Sequence, residues 1–236
     1  MIEAHELCKR FGTIDVLRGL DLRIARGRVT AIVGPNGAGK TTFIKSVLGL
    51  TRPDSGMLTF DGVQIGDDDV YRARIGYMPQ IARFPDHMTG LQLLALLRDL
   101  RGSATVNETL AEALGLRGDL KKKLRVLSGG TRQKVNAVAA FLFSPELYVL
   151  DEPTAGLDPI ASGVLKARIQ LEREHGATVL LTSHIMSDVD ELADDIIYLV
   201  DGRVQYDGAL PDLKDEMGQS SLERAIAAMM SRRVAA

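Results

Sequence analysis

Short apolar runs separated by longer stretches of mixed polarity set the rhythm of this chain. Residues 29–34, VTAIVG, read as a buried strand, and the pattern from Gly39 to about Gly49 reads as a helix. The pairing recurs in ELYVLDE (146–152) with a helix near 160–174, and in ATVLLTSH (177–184) with a short helix near 187–193. Their apolar character is continuous rather than alternating. That marks strands covered on both faces, as in a parallel sheet flanked by helices.

Three flanking stretches carry a different signal. LDLRIARGRVT (20–30), GMLTFDGVQI (56–65) and DIIYLVDGRVQYDG (195–208) are punctuated by glycine in the manner of hairpins, and they predict an added antiparallel sheet. Residues 89 to 126 break the alternation. TGLQLLALLRDLRG has Thr89 as a cap, apolar residues at 91, 94, 97 and 100, and Gly102 as a stop, and NETLAEALGL (107–116) repeats that pattern. SSLERAIAAMMSRR (220–233) is one more amphipathic helix. The expected class is α/β: a mostly parallel core, an antiparallel β subdomain and an inserted α-helical subdomain at about residues 81–143. Residues 1–236 are expected to form one domain, with a C-terminal helix at about 219–233.

Composition narrows the partners. With 236 residues, 45% hydrophobic and 25% charged, the chain has the balance of a globular protein with an ample core. A net charge of −2 offers no basic surface, so no nucleic-acid partner is expected. Cys8 is the sole cysteine, which excludes an internal disulfide and suits a buried, inert role. The N-terminus has no apolar leader and no run of about 18 apolar residues exists, so a membrane role must come through a partner chain. The basic run LKKKLR (120–125) reads as a solvated face. His5, His87, Met229 and Met230 lack metal-ligand spacing.

Chemistry concentrates in two places. GPNGAGKTT (34–42) fits the phosphate-binding pattern G-x-x-x-x-G-K-[ST] and lies after a strand and before a helix, as the motif requires. Its residues Gly34, Pro35, Asn36, Gly37, Ala38, Gly39, Lys40, Thr41 and Thr42 would close backbone N–H groups around phosphate oxygens at a helix N-terminus. Lys40 would reach the β- and γ-phosphates, and Thr41 would hold magnesium. LYVLDE ends an apolar strand with two adjacent carboxylates, Asp151 and Glu152. Like charges repel there, but a nucleotide-hydrolysing site uses one to orient magnesium and the other to polarise water. A second glycine-rich helix start, LSGGTRQ (127–133), then stands unexplained by a single nucleotide. Gln80 and His184 are weak signals singly, although His184 follows a buried strand, where ligand groups of open α/β sheets gather.

The order of P-loop, Gln80, LSGG, Asp-Glu, GLD and His184 resembles the ATP-binding cassette (ABC) ATPases over essentially the whole chain. The resemblance implies a P-loop NTPase core with ATP and Mg2+ as ligands. It implies that Phe11 stacks on adenine, and that Gln80 touches magnesium and water and senses a membrane domain. It makes Thr41, Gln80 and Asp151 the magnesium ligands, and Glu152, Gln80 and His184 the catalytic groups, with His184 on the γ-phosphate. Ser128, Gly129 and Gly130 match the signature that closes over the ATP of a second copy in a head-to-tail dimer, and Asp158 matches the aspartate crossing that interface. QIARFPDHM (80–88) matches the groove that receives a short helix of the membrane subunit. Thr131 departs from the long residue common after LSGG, and Phe11 stands where Tyr is frequent.

GPNGAGKTT and DEPTAGLDP, with no C-terminal regulatory domain expected, are similar to ATPases of the ABC-2 exporter type. YMPQIARFP is also similar to ATPases serving copper-enzyme (nitrous-oxide-reductase) maturation. The expected protein is a peripheral ATPase on the cytoplasmic membrane face, a homodimer held by separate transmembrane subunits. The alternative is a soluble ABC ATPase acting on ribosomes or DNA, and a third reading is a degenerate cassette that binds ATP structurally.

Overall fold

The structure, a computed structural model, describes residues 1–66, 69–102 and 106–234. Its elements run β1 (Ile2–Phe11), β2 (Ile14–Ile24), β3 (Val29–Val33), α1 (Lys40–Val47), β4 (Ser55–Phe60) and β5 (Val63–Gln64). They continue with β6 (Ile75–Met78), α2 (Gly90–Arg101), α3 (Thr109–Ala113), α4 (Gly129–Ala140), β7 (Leu147–Asp151), α5 (Pro159–Glu174) and β8 (Thr178–Thr182). The last are α6 (Met186–Leu192), β9 (Asp195–Val200), β10 (Arg203–Ala209), α7 (Leu210–Met217) and α8 (Leu222–Val234). The chain divides into two compact units, residues 1–69 with 180–236, and residues 70–179; β8 runs through the division.

In the first unit β3 is buried at all five positions, as its continuous apolar run predicts. It pairs in parallel with β9, Thr30 opposite Asp195 through Val33 opposite Tyr198. The start of that ladder is pinned by charge. Arg28 grips the Asp195 carboxylate as a fork at 2.5 and 2.6 Å, and Asp194 accepts from the Val29 N–H at 2.9 Å. Such planar two-point pairs hold a register as well as adding attraction. A separate antiparallel sheet has the order β2-β1-β4-β5, its β1–β2 hairpin closing at Phe11 opposite Ile14.

Two expectations about hairpins need correction. Residues 195–208 do form one, but β9 and β10 extend the β3 ladder and do not join the antiparallel sheet. The turn near residues 25–28 is not a hairpin either, because β2 pairs with β1 while β3 pairs with β9. Glycine marked the turns correctly, but turn chemistry does not say which strand lies alongside.

In the second unit β6 and β7 run parallel, Ile75 opposite Leu147 through Met78 opposite Leu150. The helix α2 has the predicted capping box, Thr89 with Gln92, and ends at Gly102 in the left-handed region. Its buried face is Gly90, Leu93 and Leu94, whereas Leu91 and Leu100 are exposed. The expected stripe of 91, 94, 97 and 100 was therefore rotated. Gly90 decides the orientation, since a Cβ there would lie 2.6 Å from Leu120 Cδ2. Leucines at 91, 93, 94, 96, 97 and 100 surround the helix, so periodicity alone could not select a face. The C-terminal end is tied down by Arg101, whose guanidinium donates to the Ala73 and Ile75 carbonyls at 2.5 and 2.6 Å.

The helix α4 lies close over β6. A Cβ on Gly76 would collide with the Ala140 carbonyl oxygen and lie 2.8 Å from Pro145 Cγ. Just past α4, Phe141 stacks on Tyr148 of β7 with ring centroids 4.4 Å apart. Among the described residues no helix is long and apolar enough to cross a membrane.

Gly76→Ala should therefore destabilise the protein by about 1–3 kcal/mol through overpacking against backbone. Denaturant unfolding checks this, and a loss below about 0.5 kcal/mol, the scatter of neutral surface changes, would contradict so close an approach of helix to strand.

Candidate functional site

The first unit carries the glycine-rich loop. It leaves β3 at Gly34 and enters α1 at Lys40, with Gly39 as an N-cap that makes no side-chain cap bond. Gly39 has φ 105°, and a Cβ there would lie 2.8 Å from Leu17 Cδ2 and 3.0 Å from the Val16 carbonyl oxygen. A Cβ on Gly34 would overlap the Leu199 carbonyl. No larger residue fits either position, so the loop is held between the β2 strand and the end of β9. Its polar surface stays open: Pro35, Asn36, Gly37 and Thr41 are exposed, and Ala38 is buried. The Lys40 ammonium turns back across the loop, donating to the Gly34 and Pro35 carbonyls at 2.7 and 3.0 Å. An anion lying in the loop would find this cation already at its centre.

Phe11 sits at the tip of the β1–β2 hairpin, 51% exposed, with Lys9 Nζ 5.3 Å from its ring centroid. The hairpin reaches the loop through Val16 and Leu17, which border Gly39. A cavity of about 720 Å³ beside it is lined by Lys9, Arg10, Asp15, Arg18, Asp54 and Arg203, among others. Lys9 pairs with Asp54 and Arg10 with Asp15, so the cations there outnumber the acids. His184 is exposed two residues beyond β8.

The second unit carries the carboxylates. Asp151 ends β7 and is 5% exposed; Glu152 follows at 7%. Glu152 has φ 53°, left-handed backbone that costs a non-glycine residue on the order of 1–3 kcal/mol. That turn ends the strand. Burial pushes the Tyr77 phenol pKa up, and the negative charge of Asp151 pushes it the same way. Gln80 is exposed two residues beyond β6. Gln80 and Glu152 each lie two residues beyond the last ladder pair of β6 and β7, Met78 with Leu150.

The second glycine-rich start is the N-terminus of α4. Ser128 caps it, its oxygen accepting from the Thr131 N–H at 3.2 Å. Gly129 and Gly130 are the first helical residues, and their N–H groups face no intrahelical carbonyl. Thr131 brings a short hydroxyl that shares a hydrogen bond with Ser128 Oγ at 2.8 Å. Gly130 approaches the segment before Asp158, since a Cβ on it would lie 3.0 Å from the Gly156 carbonyl oxygen.

Asp158 caps α5, accepting from the Ala161 N–H at 2.9 Å, and its other oxygen meets Lys134 Nζ of α4 at 2.8 Å. The sequence reading had no role for Lys134. Its neighbours Gln133 and Asn136 were missed as well, although an Asn inside the apolar run VNAVAA was a visible irregularity. Within the second unit α4 bonds to Pro79 beside Gln80, to Pro153 beside Glu152, and to Asp158. In the first unit the hairpin borders the loop at Gly39.

Comparison with known proteins adds a family, two relatives and two solved structures. The family model described as ABC transporter matches residues 17–155. The daunorubicin resistance ATP-binding protein DrrA3 of Streptomyces coeruleorubidus is 37% identical over 222 residues, 91% of this chain and 70% of that protein. The bacitracin transport ATP-binding protein BcrA of Enterococcus faecalis is 31% identical over 86% of this chain and 68% of its own length. Among solved structures, an ATP-binding subunit of an ABC transporter superposes with TM-score 0.89 at 30% identity, covering 98% of this chain and 99% of the other. A dimeric ATP-binding cassette bound to ADP and Pi in a post-hydrolysis state gives TM-score 0.78 at 27% identity, over 89% and 99%. The α/β P-loop NTPase class expected from the sequence is thus found.

The Lys134 ammonium, followed by the Ala161 N–H, holds the Asp158 carboxyl below the usual carboxylate value of about 3.9. A depressed folded-state pKa stabilises the fold above the unfolded value, and that contribution is lost as pH falls through the folded one. NMR titration of the Asp158 carboxyl carbon should show this depressed pKa, and Lys134→Ala should raise it. An unchanged midpoint in the variant would contradict the pairing.

Proposed function

This chain belongs to the ABC transporter family, and on that footing we propose that it is the ATP-hydrolysing subunit of an exporter, working through a separate membrane subunit. One observation carries the hydrolytic reading: an apolar strand ends in two buried carboxylates, the second held in left-handed backbone. Burying two acids side by side is costly without a task that uses them. The resistance and transport ATPases among the relatives support the exporter reading. Among the described residues no helix is long and apolar enough to cross a bilayer, and this reading assigns the membrane contact to a separate subunit. The cytoplasmic membrane face and service to metalloenzyme maturation are the finer expectations of this reading.

Each residue has a part in it. The amides of residues 34–42 and the Lys40 ammonium bind the phosphates, and Phe11 lies against adenine. The donors proposed for magnesium are the Thr41 hydroxyl, the Gln80 amide and the Asp151 carboxylate, all oxygens, as that hard cation prefers. Magnesium, when bound, neutralises charge developing on the transferred phosphoryl group. Glu152 takes the proton of the attacking water, Gln80 orients that water, and His184 donates to the γ-phosphate. The Ser128–Gly130 end of α4 acts on the ATP of a second copy, adding N–H donors from the opposite side. Asp158 lies at the interface between copies. Residues 1–236 make one cassette, with the helical insertion at about 81–143 presenting the 80–88 segment to the membrane subunit.

Glu152→Gln tests this directly. It removes the base but keeps the phosphate contacts, so turnover should fall about 10²-fold or more while ATP binding survives. With ATP and magnesium the variant should elute from a sizing column as a dimer. Wild-type turnover in it would sink the assignment of Glu152. Lys40→Ala should weaken ATP binding and abolish turnover, because the phosphates lose the fixed point charge of the loop.

A further inference from the structure

Two amides lie inside the second unit, where an apolar side chain would serve packing equally well. Asn136 is 1% exposed and Gln133 is 7% exposed, three residues apart on one face of α4. Asn136 Nδ2 donates to the Pro79 carbonyl at 2.7 Å and to Gln133 Oε1 at 3.2 Å. Gln133 Nε2 reaches the Pro153 carbonyl at 3.5 Å, the longest link of the chain. The two acceptors are not arbitrary. Pro79 immediately precedes Gln80, and Pro153 immediately follows Glu152. Both lie just past the ends of β6 and β7, where the ladder has stopped and proline offers no N–H to prolong it. Their carbonyls still require donors. The helix supplies both from one connected pair.

We propose that Asn136 and Gln133 are positioning residues for hydrolysis. They staple together the two strand exits that carry Gln80 and Glu152, and so fix the separation of the water-orienting amide from the base. The last ladder pair of β6 and β7 is Met78 with Leu150, so Gln80 and Glu152 lie beyond it. The amide pair refers both exits to α4, which is itself held against β6 by the close approach at Gly76. A misplacement of about 1 Å between reacting groups costs on the order of 10²-fold in rate. The proposal rests on the roles given above to Gln80 and Glu152.

A merely structural pair and a positioning pair differ in what they move. Asn136→Leu keeps the branched shape, at a larger volume, and removes the donors. Single-turnover hydrolysis should fall about 10-fold or more, while ATP affinity of the full chain stays within about 2-fold of wild type. ATP-driven dimerisation of Asn136→Leu, measured in the Glu152→Gln background, should likewise be retained, because the signature end of α4 is untouched. Val138→Ala, on the same helix and fully buried, loosens packing without touching either amide and serves as the stability control. It should keep its rate once corrected for the folded fraction. Gln133→Met keeps length and drops the amide; it carries the same expectation through Pro153 and replaces Asn136→Leu if that variant does not fold. The idea is overturned if the rate follows only the folded fraction, as in Val138→Ala, or if dimerisation is lost in step with the rate. Glu152→Gln separates the two readings. If it slows hydrolysis and the amide variants do not, the staple fails and the site assignment stands; if it leaves turnover intact, the assignment itself has failed.

Discussion

Backbone N–H groups left uncovered at the start of a helix are the resource on which this protein depends. The first four amides of any helix lack intrahelical partners, and the aligned peptide dipoles make that end attractive to anions. The helix α1 starts on Gly39 with no side chain covering its amides. The helix α4 starts on Gly129 and Gly130, with Ser128 covering only the Thr131 N–H. Two such starts exceed the needs of one phosphate chain served by one loop. They make sense together if each nucleotide is held by α1 of one copy and approached by α4 of another.

The surroundings of α4 show how that arrangement can connect binding to chemistry. Its first turn presents the signature, Lys134 meets the Asp158 cap, and Gln133 and Asn136 hold the strand exits bearing Gln80 and Glu152. Arg132 adds a bond to Asp86, in the segment following Gln80, at 3.1 Å, and another to the Leu124 carbonyl at 2.8 Å. One rigid helix thus touches every functional segment of the second unit. The demand for small residues, at Gly76 beneath it and at Gly130 in its own first turn, follows from that crowding.

Much of this was legible because the chemistry constrains the sequence so tightly. The phosphate loop needs glycine where a Cβ would strike Leu199 or Leu17, and the pattern of glycines survives as a readable motif. Buried parallel strands such as β3 and β7 announced themselves through unbroken apolar runs. The buried face of α2 did not, because six leucines on a twelve-residue helix leave it to Gly90 and Leu120 to choose the side. The partner of the β9–β10 hairpin was equally hidden. Which strand a hairpin joins depends on ion pairs far apart in sequence, such as Arg28 with Asp195, and no local pattern encodes them. Asn136 was missed for a related reason. A lone amide in an apolar helix is conspicuous, yet its meaning lies in Pro79, 57 residues earlier.

The central claim is that the signature of one copy serves the nucleotide of the other, and a mixing experiment reaches it most directly. Lys40→Ala breaks the loop and keeps the signature. Gly129→Asp keeps the loop and puts a carboxylate where phosphate should approach, at a position whose Cβ meets nothing within 4 Å. A mixed dimer then holds one doubly broken site and one intact site, built from the loop of one chain and the signature of its partner. Single-turnover hydrolysis, absent in either variant alone, should return on mixing. If mixed dimers form by crosslinking and no hydrolysis returns, each signature serves its own chain, and the shared-site account is wrong.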